Sequence, residues 1–151
     1  MSTQLLIAVL TGLAATVEDL VERRISNWIP VVAFAAGLTC LAFSRGWRGA
    51  ISSVLGAACG FAVFFVLYWL GGMGGGDVKL MAGLGAVVGV ERVLAATLWT
   101  AGCGGILAAL WVAVLTIRSM WRKDRSNAKP QFIPYAPAIA LGSWLALLPK
   151  G

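Results

Sequence analysis

The chain has 151 residues, of which 60% are hydrophobic and only 12% charged, with a net charge of +6 and no histidine. A soluble domain carries about 25% charged residues, so composition places this chain in a membrane, as a single domain over residues 1–151. The cations punctuate apolar runs as loop charges do, which argues against nucleic acid as a partner; the missing histidine excludes a Ser-His-Asp or Cys-His hydrolase and any histidine-ligated metal.

The first stretch, "MSTQLLIAVLTGLAATVEDL", lacks the positive start of a secretory signal and reads as a membrane span from Met1 to Val17. Further charge-free stretches run from Ile25 to Ser44, Gly49 to Gly76, Val93 to Ile117 and Pro130 to Pro149. A span needs about 20 mostly apolar residues, with a lower limit near 17. Leu80–Val90 is apolar but short, held between Lys79 and Glu91. If it crosses, eight Lys and Arg residues fall on one side (Arg23, Arg24, Lys79, Arg118, Arg122, Lys123, Arg125, Lys129) and four on the other (Arg45, Arg48, Arg92, Lys150). If it only dips in and returns, the best split is seven to five. The positive-inside bias favours six spans. The expected fold is therefore all-α, a polytopic membrane bundle of six transmembrane helices with both termini outside the cytoplasm.

Small residues at helix-contact spacing, Gly56/Gly60 and Gly85/Gly89, predict close helix packing. Pro130, Pro134 and Pro137 crowd the start of the last helix, where proline is tolerated. The basic loop Arg118–Lys129, with Asp124, reads as a topogenic anchor, and Glu91 is expected to pair with Arg92. Cys40, Cys59 and Cys103 are far apart in apolar runs and form no zinc or disulfide pattern; they read as small buried residues.

What remains is the acidic cluster Glu18, Asp19, Glu22 and the solitary Asp77, which follows a segment, Gly71–Gly76, with five glycines in six residues. In the six-span topology Asp19 ends the first helix and Asp77 begins the fourth, both at the cytoplasmic boundary. Two carboxylates at one depth can split their roles: one, ionised, takes a proton from water, and the other, protonated, polarises a carbonyl. Proximity itself separates their pKa values. Each residue also has a plain structural reading: Asp77 as a helix N-cap, Asp19 as a partner of Arg23 four residues on. Their matched depth favours function, because ionisable groups at membrane depth are costly. The glycines permit backbone conformations that side chains resist and allow a substrate strand to lie beside Asp77. Lys79 either holds the helix end at the interface or biases the ionisation of Asp77.

These residues resemble a known family. "GGGD" at Gly74–Asp77 fits the GxGD signature, and "GMGGGDVKL" is similar to the longer signature of the type IV prepilin peptidases. "DLVERRISNW", Asp19 to Trp28, resembles their first-aspartate segment, and "PYAPAIALG", Pro134 to Gly142, the start of their last helix. The size resembles the short forms associated with Flp/Tad pili. Ser26 departs from the pattern, which usually has proline there, while Asp19 and Asn27 are kept. The resemblance implies an aspartic endopeptidase in the bacterial inner membrane that removes the short basic leader of a prepilin on the cytoplasmic side, cutting after a glycine. It implies Asp19 and Asp77 as the catalytic pair, Gly74 and Gly76 as shapers of the site, with Lys79 and Asn27 beside it, and no metal or cofactor. The longer members carry a cysteine-bearing cytoplasmic segment and also methylate the new pilin N-terminus; this chain has no such segment, so the expectation is peptidase activity alone. The rival reading is a small transporter or scaffold subunit with Asp19 and Asp77 as ion or proton sites. A GxGD protease with some other membrane substrate is a second rival.

Overall fold

The computed structural model describes residues 3–22, 25–71, 73–121 and 135–148, the side chains of 108, 111, 112 and 115–121 excepted. Arg23, Arg24, Lys150 and most of the basic loop with Asp124, Lys129, Pro130 and Pro134 lie outside the described residues. The regular structure described is all helical: α1 (Thr3–Glu22), α2 (Trp28–Trp69), α3 (Gly75–Val88), α4 (Val90–Trp121) and α5 (Ala136–Leu147). Two of these, α1 and α2, are long and apolar enough to cross a membrane. Leu10, Val17, Phe43 and Trp69 stand exposed along them, a display suited to lipid rather than water.

The second and third apolar stretches form one element rather than two. It is interrupted at Gly46, whose φ of 62° and ψ of −148° lie in a region open essentially to glycine. Beyond the break Gly49 lies against the Leu41 carbonyl. Eight residues of straight helix would separate them by about 12 Å, so the chain has doubled back. Residues 28–45 and 47–69 are the two arms of a helical hairpin.

α3 is seated between those arms. Along the first it runs parallel: Gly76 meets Ile25, Gly83 meets Pro30 and Ala33, and Gly37 meets Ala86 and Val87. Along the second it runs antiparallel: Gly60 meets Met81, and Gly56 meets Gly85 and Gly89. Of the small-residue pairs expected from spacing, Gly56 packs on Gly85 and Gly89, glycine against glycine, while Gly60 packs on Met81. A Cβ on Gly37 would stand 2.6 Å from the Val87 nitrogen, and one on Gly83 2.6 Å from the Pro30 oxygen. Between these contacts Leu80, Met81, Leu84 and Val87 are fully buried.

With 14 residues α3 is about 21 Å long, short of the roughly 30 Å hydrocarbon core. It begins at Gly75, two residues before Asp77, where the fourth helix was expected to begin, and ends at Val88. Its C-terminal end is closed by the second arm. The Ser53 hydroxyl donates to the Ala86 carbonyl (2.9 Å), and the Ser52 hydroxyl oxygen accepts from the Val90 N–H (3.2 Å). Backbone groups at helix ends have no intrahelical partner, and lipid offers none.

α5 runs antiparallel to α1, with Gly12 against Ala140 and Trp144, and the Trp144 indole donating to the Ala8 carbonyl at 2.8 Å. It runs antiparallel to α4 as well, where Gly142 meets Thr100 and Gly104 meets Tyr135 and Ala138. One end of the bundle therefore collects the links at 22–28 and 70–74 and the start of α5. The opposite end collects Gly46, Gly89 and the start of α1, where Gln4 donates to the Val87 carbonyl at 3.2 Å. Glu91 belongs to this second end, and its partner is not Arg92: it accepts from Arg45 Nη1 at 2.9 Å, an exposed pair joining the two turns. Residues adjacent on a helix do not face each other, which leaves Glu91 free to reach the Gly46 break.

Candidate active site

Asp77 is the third residue of α3. The residue in the capping position is Gly74, extended at φ −83° and ψ 153°, and Asp77 reaches back so that Oδ2 accepts the Gly74 N–H at 3.1 Å. This corrects the N-cap reading: the carboxylate serves the helix end from inside the first turn, where the positive end of the helix dipole favours it. Asp77 is 7% exposed, and no other hydrogen bond to its carboxylate forms among the described residues.

Asp19 lies in the last turn of α1. Its Oδ2 accepts from the N–H of Ala136 at 3.3 Å, the first residue of α5. Arg23 is outside the described residues, and the bond that is described ties Asp19 to α5 instead. Sequence reasoning assigned Pro134–Gly142 to a helix start but did not connect it to Asp19. Each aspartate is thus set on a helix N-terminus, Asp77 on its own and Asp19 on that of α5.

The two groups share one environment. Asp77 is nearly enclosed, and Asp19 stands at the same end of the bundle, across the 25–27 turn.

The three residues 25–27 pass over both aspartate-bearing helix ends. Ile25 rests on Gly76: a Cβ there would meet the Ile25 Cβ at 3.2 Å, so a side chain would displace the turn. Asn27 Oδ1 accepts from Lys79 Nζ at 2.9 Å, bringing together two residues read separately from the sequence. The N–H of Ser26 donates to Glu18 Oε2 at 2.8 Å, and its carbonyl accepts from Ile29 N–H at 3.2 Å. Glu18 was legible only as one of an acidic cluster. Of the described glycines in 71–76, only Gly71 takes a positive φ, 78°; Gly76 is required for closeness, and the space beside Gly74 is open apart from Asp77 Oδ2 at 3.4 Å.

Among the described residues no three His, Cys, Asp or Glu side chains gather to hold a metal. The arrangement itself offers two carboxyl groups at the mouth of an apolar bundle, of which one can hold a proton while the other is ionised. That combination activates water against a polarised carbonyl.

Comparison with known proteins agrees with this chemistry. Residues 6–121 match the type IV leader peptidase family. A prepilin leader peptidase/N-methyltransferase of Bacillus subtilis is 43% identical over 99 residues, 64% of this chain and 36% of the relative. One from Xanthomonas campestris is 33% identical over 100 residues (62% and 31%), and one from Pseudomonas putida 30% over 109 residues (68% and 34%). The matched stretch spans about a third of the length of these relatives. No solved structure matches the chain. With the family's match extending from α1 to the end of α4 and so taking in both aspartates, the chain belongs to the type IV leader peptidase family.

Proposed function

We propose that this chain is a membrane aspartic endopeptidase that removes the short basic leader of a prepilin, cutting after a glycine, with Asp19 and Asp77 as the catalytic pair. The observation that carries the reading is that two carboxylates from different helices, each bound to a helix N-terminus, stand at the same end of the bundle on either side of the 25–27 turn. Ionised Asp19 takes a proton from water, and the resulting hydroxide adds to the scissile carbonyl while protonated Asp77 donates to its oxygen. Collapse of the tetrahedral intermediate returns that proton to Asp77, and Asp19 gives its proton to the leaving amine. Gly76 seats the 25–27 turn, Gly74 leaves room for a substrate strand, and the Lys79–Asn27 pair fixes the rim.

The same geometry supports six spans. Both arms of α2 run beside α3 for its whole length, and the end carrying Asp19 and Asp77 is the one to which the eight-to-four split assigns most Lys and Arg. That end faces the cytoplasm of the bacterial inner membrane in this proposal, with lipid around the bundle and the prepilin as its partner. The pair accounts for hydrolysis, and the proposal is confined to it; methyl transfer is not part of it.

The test is to co-express the chain with an Flp-type prepilin and follow leader removal by gel shift. A shortened pilin that begins just after the glycine is the expected product. An intact precursor across a panel of prepilins would favour the transport reading instead. The pH profile is a second expected outcome. In detergent micelles, cleavage falls toward high pH, because a paired acid and base must share one proton to work. A rate still climbing at pH 9 would remove Asp77 from the role of acid.

A further inference from the structure

We propose that Glu18 is a positioning residue that fixes Asp19 against Asp77 by holding the 25–27 turn. This deepens the peptidase reading and rests on it. The three residues of the turn each make a different attachment. Ile25 sits on Gly76, the residue before Asp77; Asn27 holds Lys79, two residues after it; and Ser26 gives its N–H to Glu18, the residue before Asp19. The turn is therefore a bracket with one foot on α1 and two on α3. Without the Glu18 bond, the described attachments of the bracket are to α2 and α3, and only the chain itself joins it to α1.

The bond also uses a donor that a proline at this position would lack. A proline at 26 has a fixed φ and no N–H. A serine there gains backbone freedom and a donor that must be satisfied, and a half-buried carboxylate answers both at once. The Ser26 carbonyl meanwhile starts α2 by accepting the Ile29 N–H, so the backbone of this one residue is held on both sides. A charged acceptor makes a stronger bond than a neutral one, and Glu18 Oε2 at 2.8 Å is in the expected range.

Four proteins, each the full chain in detergent, test the bracket: wild type, Glu18→Gln, Glu18→Ala, and Glu18→Ala combined with Ser26→Pro. The readouts are kcat and KM for prepilin cleavage and hydrogen exchange of the Ile29 amide. Glu18→Ala lowers kcat about tenfold with KM within about twofold, and speeds exchange by a similar factor. Glu18→Gln keeps an acceptor and stays within about threefold of wild type on both readouts. Ser26→Pro in the Glu18→Ala background removes the stranded donor and stiffens the turn, and recovers most of the loss. Wild-type behaviour of Glu18→Ala overturns the proposal, as does a loss that Ser26→Pro leaves unrepaired, since Glu18 would then act elsewhere. If wild type itself cleaves no prepilin, the peptidase reading falls, and the Ile29 exchange rates of the four proteins still decide whether Glu18 holds the turn.

Discussion

Asp77→Asn and Asp19→Asn each reduce leader cleavage by about 10³-fold or more while the proteins accumulate in membranes at wild-type levels. The structure explains why the second half of that expectation holds. Each aspartate uses one oxygen to accept a backbone N–H, from Gly74 or from Ala136. An asparagine carbonyl oxygen accepts the same bond, so both helix ends stay closed. What asparagine cannot do is carry a transferable proton or take one from water. The double variant loses little beyond either single one, because the two groups act as a unit. Full cleavage by either single variant, read from the same gel, would return that residue to a structural role.

Gly85→Val is expected to have the largest effect on the fold. A Cβ at Gly85 meets the Gly56 carbonyl oxygen, and one at Gly56 meets the Gly85 oxygen, so neither helix can yield without the other moving. Overpacking of this kind costs about 3 kcal/mol, and the unyielding neighbour is backbone rather than a side chain. Gly105→Ala is the control, with nothing within 4 Å of the added carbon. Thermal unfolding in detergent should separate the two: a Gly85→Val protein that fails to accumulate or melts well below wild type, and a Gly105→Ala protein that matches it. Equal melting would mean that α3 is not confined between the arms.

Helix content and close packing at Gly56, Gly60, Gly85 and Gly89 were legible in the sequence because apolar run length and small-residue spacing are local signals. The division at 45–48 was legible from Arg45 and Arg48, although the chain turns there on Gly46 alone rather than on a loop. Other features were hidden for a common physical reason. Arg45 and Glu91 are 46 residues apart, Asp19 and Ala136 117, and both contacts exist only because antiparallel helices bring distant turns together. Sequence adjacency gave the wrong partner for Glu91, while Arg23, the partner weighed for Asp19, lies outside the described residues. The glycine run was read for what it leaves open, whereas the need at Gly76 comes from Ile25, a residue that nothing in its own surroundings marks as a contact.

The seat of α3 between the arms of α2 bears on how the chain is made. Its helix is shorter than the hydrocarbon core, and Gly75, Gly76, Gly83 and Gly85 lower its propensity to form on its own. Both walls of its slot precede it in the chain, so they have left the ribosome before it does. The hairpin of α2 can enter the bilayer by its own hydrophobicity and then receive α3 as a template receives a cast. A circularly permuted chain with α3 ahead of α2 would present the insertion machinery with its weakest segment first.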